Sequence, residues 1–227
     1  MNLDQLKELQ KARLEKRQVV LATNLTNGSN KIFYPFESNE KTTLISEAKI
    51  ALNTDKPREI ETDDGPVFLN IFNPPLRLFI IGAVHIAQKL APMAAATAYD
   101  VTVIDPRRSF GSEFRFPGVV LDDRWPDEAL DALDPDRRSA IVTLTHDAKL
   151  DDPALKAALK SDVFYIGALG STRTKAKRHD RLIEDGFSAD EIARIHGPVG
   201  LDIGAQSPAE IAISILAELT ATLRRKQ

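Results

Sequence analysis

Four short apolar runs constrain the fold of this chain more than anything else in it: Leu78–Gly82 (LFIIG), Val101–Asp105 (VTVID), Ala140–Thr145 (AIVTLT) and Val163–Ile166 (VFYI). They are apolar with little alternation, the pattern of strands buried on both faces rather than of a half-solvated sheet. Segments of helical character separate or follow them: His85–Ala98, where Pro92 is expected to introduce a kink, Pro126–Leu133, Asp152–Lys160 with a start near Pro153, and Thr172–Asp185. Ser188-x-x-Glu191 and Ser207-Pro208-x-Glu210 are capping-box signatures for two further helices. Strands alternating with helices require right-handed crossovers, and so an α/β fold with a doubly wound parallel sheet.

Asn73-Pro74-Pro75 is the clearest break, because paired prolines remove backbone donors and restrict the residue before them. Two domains are expected, residues 1–75 and 76–227. The first reads as a small α+β domain: a helix over about 2–16, a strand at Val19–Leu25, a turn at Asn27-Gly28, a strand at Ile32–Phe36, a helix over Thr43–Leu52, and extended pieces around Ile60 and Val67–Phe72.

Hydrophobic residues make up 43% of the 227, enough to bury a core. The formal net charge of −3, with no long block of one sign, argues against nucleic acid as a main partner. The chain has no cysteine, which excludes disulfides, thiolate metal sites and cysteine nucleophiles. The polar start MNLDQLKELQKARLEKR has no apolar signal core, and no run reaches the length of a membrane span. A cytoplasmic protein without membrane association is expected.

Four segments fall at or near the carboxyl ends of the expected strands, where open α/β sheets bind ligands. Gly82-Ala83-Val84-His85-Ile86-Ala87 stands where a dinucleotide fingerprint belongs, with Asp105 placed to meet a ribose hydroxyl. Val84 replaces the glycine that lets the backbone approach a pyrophosphate, so this turn reads either as a phosphate site at a helix N-terminus or as a plain strand–helix turn. Thr145-His146-Asp147 follows a buried strand. His146 can bond a phosphate or a polar ring, or simply stand in solvent while Asp147 starts a turn. Gly167-Ala168-Leu169-Gly170-Ser171 opens a helix carrying Arg173, Lys175, Lys177, Arg178 and Arg181. Gly167, Gly170, Ser171 and Arg173 together suit an anion, and most of the remaining basic run reads as a solvated face. The fourth is the loop His196–Ala205, with three glycines and a proline, whose polar members are His196 and Asp202. It reads as a structural loop or a binding loop. No catalytic residue and no metal ligand stands out.

At these segments the chain resembles the XdhC/CoxI family. The resemblance runs in order through GAVHIA, VTVIDPR (Val101–Arg107), FRFPG (Phe114–Gly118), VTLTHDAKLDDPAL (Val142–Leu155), YIGALGSTRTKAKR (Tyr165–Arg178) and RIHGPVGLDIGAQSPAEIAISILAE (Arg194–Glu218). It covers roughly residues 77–220, and it implies a Rossmann-like C-terminal domain. It also implies an accessory factor that binds the molybdenum cofactor, molybdopterin with its metal, and protects, sulfurates or inserts it for xanthine dehydrogenase-like molybdenum hydroxylases. Such a factor works beside the hydroxylase and a sulfurase or other cofactor-modifying enzyme, alone or as a homodimer. Two departures matter. The family turn reads GAGH, whereas this chain has Gly82-Ala83-Val84-His85. The family's N-terminal cysteine segment has no counterpart in residues 1–72, so no role of that cysteine operates here.

The leading expectation is a non-catalytic cofactor-binding maturation factor, with Arg173 on the phosphate and His146, Asp147 and Asp202 at the pterin edge. Gly82, Val84, His85 and Asp105 are read as cofactor-binding as well, and His85, His146, Asp147, Gly170, Ser171 and Asp202 are expected around one cleft. The alternatives are an NAD(P)-dependent oxidoreductase, with Asp105 on the ribose and Val84 counting against it, and a docking protein without a ligand.

Overall fold

The computed structural model describes residues 2–224. The chain separates at Pro74/Pro75 into two compact units, Pro75–Leu223 being the larger. In the first unit, β1 (Val19–Asn24), β2 (Asn30–Phe33), β3 (Arg58–Thr62) and β4 (Gly65–Phe72) form an antiparallel sheet in the order β2-β1-β4-β3. Helix α1 (Leu3–Leu14) starts at a full capping box between Asn2 and Gln5. Helix α2 (Thr43–Thr54) is capped by the Thr42 side chain and packs Ala48 and Leu52 on Val20, Val67 and Leu69.

The second unit holds six strands: β5 (Leu76–Ile81), β6 (Tyr99–Ile104), β7 (Val120–Asp122), β8 (Ser139–Thr143), β9 (Tyr165–Ala168) and β10 (Ile195–His196). All pair in parallel, in the order β10-β9-β8-β5-β6-β7. With β5 counted as first, this is the strand order of the doubly wound dinucleotide-binding fold. The helices are α3 (His85–Ala96), α4 (Pro126–Leu133), α5 (Ala148–Lys160), α6 (Thr172–Glu184), α7 (Ala189–Ile192) and α8 (Pro208–Arg224). The apolar runs are buried on both faces because side chains alternate across a strand. Leu78 and Ile80 join Leu90 of α3 and Ile215 of α8 in one core, while Phe79 and Ile81 join Leu130 of α4 and Leu155 of α5 in the other.

The element pattern read from the sequence holds, with differences at the ends. Helix α5 begins at Ala148, not near Pro153, because the Asp147 side chain accepts the Lys149 N–H at 3.0 Å and caps a turn earlier. Pro153 therefore lies inside the helix. Pro92 likewise sits within a continuous α3. The three-residue β7 and two-residue β10 are too short to carry a periodic signal. Ser188 and Glu191 form both halves of a capping box, and Glu210 accepts the Ser207 N–H at 2.8 Å while the Ser207 hydroxyl accepts from its N–H. No helix among the described residues is long and apolar enough to cross a membrane.

Gly82 leaves β5 at φ +105°, and a Cβ there would stand 2.5 Å from Thr145 Cγ2 at the end of β8. Both the backbone angle and the close approach require glycine. Gly82→Ala is expected to lower the unfolding free energy by about 2–4 kcal/mol in urea denaturation. In a Thr145→Ser background, which removes the opposing methyl, the same change should cost less by about 1 kcal/mol.

Candidate functional site

The segment after β8 turns sharply. His146 takes a left-handed backbone (φ 61°), uncommon outside glycine, and its side chain is turned to solvent. On either side of it, Thr145 and Asp147 interlock. The Thr145 hydroxyl accepts the Asp147 N–H at 3.0 Å and donates to Asp151 Oδ1 at 2.7 Å. Asp151 lies one turn into α5 and is 3% exposed. Burial pushes its carboxyl above the usual carboxylate range, against the opposing pull of the Thr145 bonds.

The segment after β9 supplies the opposite wall. Gly170 (φ +145°) lets the chain turn into α6, and the Ser171 side chain caps the helix by accepting the Thr174 N–H at 3.2 Å. Arg173, Lys177 and Arg181 then recur every four residues along one stripe, with Thr174 and Arg178 beside it. Arg181 forms a two-pronged pair with Asp152, Nε to Oδ2 at 2.6 Å and Nη2 to Oδ1 at 2.9 Å. Arg178 is 4% exposed, and its Nη2 donates to the Leu169 carbonyl at 2.8 Å. Burial draws its guanidinium below the ordinary arginine value, against the attraction of Asp151 and Asp152.

Between these walls lies a cavity of about 450 Å³, in the size range of small-molecule sites. Arg173, Lys177, Arg178 and Arg181 face it from α6, and Asp151 and Asp152 from α5, with His146 at its edge. Four cations against two carboxylates leave an excess of two positive charges with histidine neutral. Arg181 and Asp152 cancel each other, so the excess sits on Arg173, Lys177 and Arg178. Among the described residues no group of three or more His, Cys, Asp or Glu is arranged to hold a metal ion. An anion is what this wall attracts.

Of the residues singled out from sequence, His146 and Arg173 line this cavity, and Asp147, Gly170 and Ser171 shape the turns that deliver them. Gly167 belongs to β9, where a Cβ would meet Val199 Cγ2 at 2.6 Å, so its small size seats the loop after β10. Asp202 is exposed in that loop and does not line the cavity. Lys177, read from sequence as solvated surface, does line it, as do Arg178 and Asp151. The arginine and lysine stripe at four-residue spacing is the signal that could have placed them on one face. Tyr165 and Glu218 also escaped the sequence reading. Glu218 of α8 accepts from the Tyr165 hydroxyl at 2.5 Å and the Gly200 N–H at 2.8 Å, and its other oxygen lies 3.1 Å from His196 Nδ1. His196 stacks on Tyr165 at 4.7 Å, so this histidine fastens its loop to α8.

Gly82, Val84 and His85, at the turn between β5 and α3, and Asp105, at the end of β6, do not line the cavity. Asp105 Oδ2 accepts the Ala83 N–H at 2.8 Å and Arg107 Nη2 at 2.8 Å, while Oδ1 accepts the Arg107 backbone N–H at 3.0 Å and Nε at 2.8 Å. Both oxygens are taken from within the chain. Burial pushes the Asp105 carboxyl up, but the Arg107 and Ala83 bonds outweigh it and hold the group below the usual range.

A depressed native pKa contributes stability that is present above the unfolded-state value of 3.8 and lost as pH falls through the native one. Arg107→Ala should therefore cost about 1–2 kcal/mol at pH 7, discounted for the partial exposure of Arg107. The gap from the parent should close as pH drops below the carboxylate range, as urea unfolding at a series of pH values will read. Nicotinamide nucleotides are expected to bind weakly. Val84→Gly alone should leave an NADH fluorescence titration unchanged, because the ribose acceptor is already occupied by Arg107.

Residues 78–219 match the model of the XdhC Rossmann domain. The molybdenum cofactor insertion chaperone PaoD of Escherichia coli is 36% identical over 148 residues, which are 65% of this chain and 40% of PaoD. A probable xanthine dehydrogenase component of Bacillus subtilis is 32% identical over 160 residues, 70% of this chain and 46% of that protein. The chain thus spans less than half the length of these curated relatives. A crystal structure of a xanthine dehydrogenase from Bacillus halodurans aligns with a TM-score of 0.70 at 25% identity, over 97% of this chain and 67% of that one. With more than half of its length matched to the family model and the parallel sheet that the family name implies, this chain belongs to the XdhC Rossmann-domain family.

Proposed function

We propose that this chain binds the molybdenum cofactor and assists the maturation of a xanthine dehydrogenase-type molybdenum hydroxylase. The observation that carries the proposal is the cation-lined cavity, which joins two stretches on which the family resemblance rests, THDAKLDD (Thr145–Asp152) and STRTKAKR (Ser171–Arg178). Molybdopterin presents a phosphate and a pterin whose ring edge carries donors and acceptors. The donor set fits that chemistry. Arg173 and Lys177 offer charged donors to the phosphate, and His146 and Asp151 offer polar groups to the ring edge. The metal's chemistry belongs to the cofactor, and this chain contributes holding, orienting and shielding it. The cavity is lined mainly by cations and two carboxylates, and the role read for it is to hold the cofactor.

The insertion-chaperone role of PaoD supports the same reading. The partner is then a molybdenum hydroxylase, with a sulfurase or other cofactor-modifying enzyme as a second. The place of work is the cytoplasm, and a homodimer is compatible with it.

Arg173→Ala should weaken molybdopterin affinity by roughly ten- to a hundredfold, the worth of one charged hydrogen bond in a partly dry site. The melting temperature should barely move, since Arg173 is exposed and outside the core. Lys177→Ala should weaken binding by a smaller factor, because a flexible point charge recognises a phosphate less specifically than a guanidinium. Lys160→Ala, at the far end of α5, should have no effect. Mass spectrometry of small molecules released from protein made in a molybdopterin-producing host, with affinities for the three variants, is the measurement. A parent that carries no pterin, or an Arg173→Ala variant that binds like the parent, overturns the assignment.

A further inference from the structure

Arg178 presents a donor that nothing in the protein satisfies. Its Nε is buried and has no hydrogen-bond partner, although the residue is 4% exposed and lines the cavity. Leaving a charged donor buried and unpaired is costly, and native structures do it rarely without a reason. The neighbouring arginines show the contrast. Arg181 spends Nε and Nη2 on Asp152, and Arg107 spends its Nε and Nη2 on Asp105. Arg178 spends only Nη2, on the Leu169 carbonyl, which holds the guanidinium plane by one corner and leaves Nε without an acceptor in a residue that lines the cavity.

The geometry points to Arg178 as the buried anchor of a seat for a tetrahedral oxyanion of the phosphate-monoester class, with Arg173 and Lys177 closing over it from the same helix face. Three observations converge on it. The donor is unpaired and buried, the cavity has a positive excess, and α6 presents its N-terminal end there, where Ser171 takes the Thr174 N–H and leaves the first-turn N–H groups ahead of it to a ligand. The carboxylates do not block an anion. Asp152 is neutralised by Arg181, and Asp151 is held by Thr145 on the opposite wall with its carboxyl raised by burial. A divalent cation at Asp151 and Asp152 is the opposite occupant. It is disfavoured because three of the four α6 cations would face it, and because among the described residues no third metal-ligating side chain joins them.

This inference rests on the proposed function for what carries the phosphate, but the seat itself is tested without the cofactor. The full chain labelled with 15N-arginine is titrated with inorganic phosphate and, separately, with methyl phosphate, using chloride at matched ionic strength as the reference. The Nε–H resonance assigned to Arg178, by its loss in Arg178→Lys, should shift and saturate with both phosphates and stay fixed in chloride. Melting temperature should rise with the same dependence on phosphate concentration. Arg178→Lys keeps the charge and loses the planar donor edge, so it should weaken phosphate binding by roughly tenfold or more. If that variant fails to fold, the Arg178 Nε–H is assigned instead by through-bond correlation to its backbone in uniformly 13C,15N-labelled parent, and its shift still decides. A resonance that stays fixed while phosphate raises the melting temperature, or no phosphate effect at all, overturns the seat. Phosphate seated on Arg178 in a protein that retains no pterin would overturn the cofactor reading and leave the seat standing. Pterin retention with an unmoved Arg178 resonance would do the reverse.

Discussion

A strand apolar on both faces must find a helix for each face, and β5 sets that requirement for the whole larger unit. Leu78 and Ile80 turn to the layer of α3 and α8, Phe79 and Ile81 to the layer of α4 and α5. Parallel neighbours β6 and β8 then seal its edges. Once both faces and both edges are covered, the ends of the strands are the places left where polar side chains can meet without cutting into a core. The turns at the carboxyl ends of β8 and β9 therefore launch α5 and α6, whose polar residues face each other across the cavity. Their chemistry follows from the sheet rather than from any special fold of the loops.

Within that space the pairing of arginines decides what is available to a ligand. An arginine whose forked edge is matched to a carboxylate is spent: its charge is balanced, its geometry is fixed, and its donors are taken. Arg107 and Arg181 are of this kind. Arg173 and Lys177 are exposed on α6 and remain free to move toward an incoming anion. Arg178 is neither spent nor mobile. Its side chain is buried, held at one corner by the Leu169 carbonyl, and short of a partner at Nε. A group that is ordered before binding loses less conformational freedom on binding, so a fixed donor contributes more affinity than an equal charge on a flexible stem.

Much of the larger unit was legible in the sequence because its signals are long and cooperative. Unbroken apolar runs, helices between them and caps such as Ser188-x-x-Glu191 each repeat the same message. What escaped is short or depends on partners far away in the chain. β10 spans two residues, and the start of α5 is set by one Asp147 side-chain bond that outruns the signal of Pro153. The candidate site was legible in its turns and not in its walls. His146 and Arg173 could be named because glycine-rich or polar turns after apolar strands draw attention. Arg178 looks in sequence like any other member of a basic helix, and only burial separates it from Lys175 one turn earlier, which is exposed. Glu218, fifty-three positions from Tyr165, has no sequence mark of its bond to that hydroxyl.

The turn after β5 shows the same limit from the other side. Gly82 and Asp105 occupy the places that a dinucleotide would require of them, and both are needed here for reasons internal to the chain. Gly82 makes room for the Thr145 methyl and supplies a positive φ. Asp105 ties Ala83 to Arg107 and so fixes the turn between β5 and α3 against the loop after β6. A glycine and an acid at fingerprint spacing are thus compatible with binding a ribose and with bracing a turn. The partner of the acid separates the two. A carboxylate left with free oxygens at the strand end is available to a diol, whereas one that already accepts four donors is part of the scaffold. Arg107 makes Asp105 the second kind, and with that turn committed to holding the sheet together, the site open to an anion is the one two strands over, where Arg178 still lacks an acceptor.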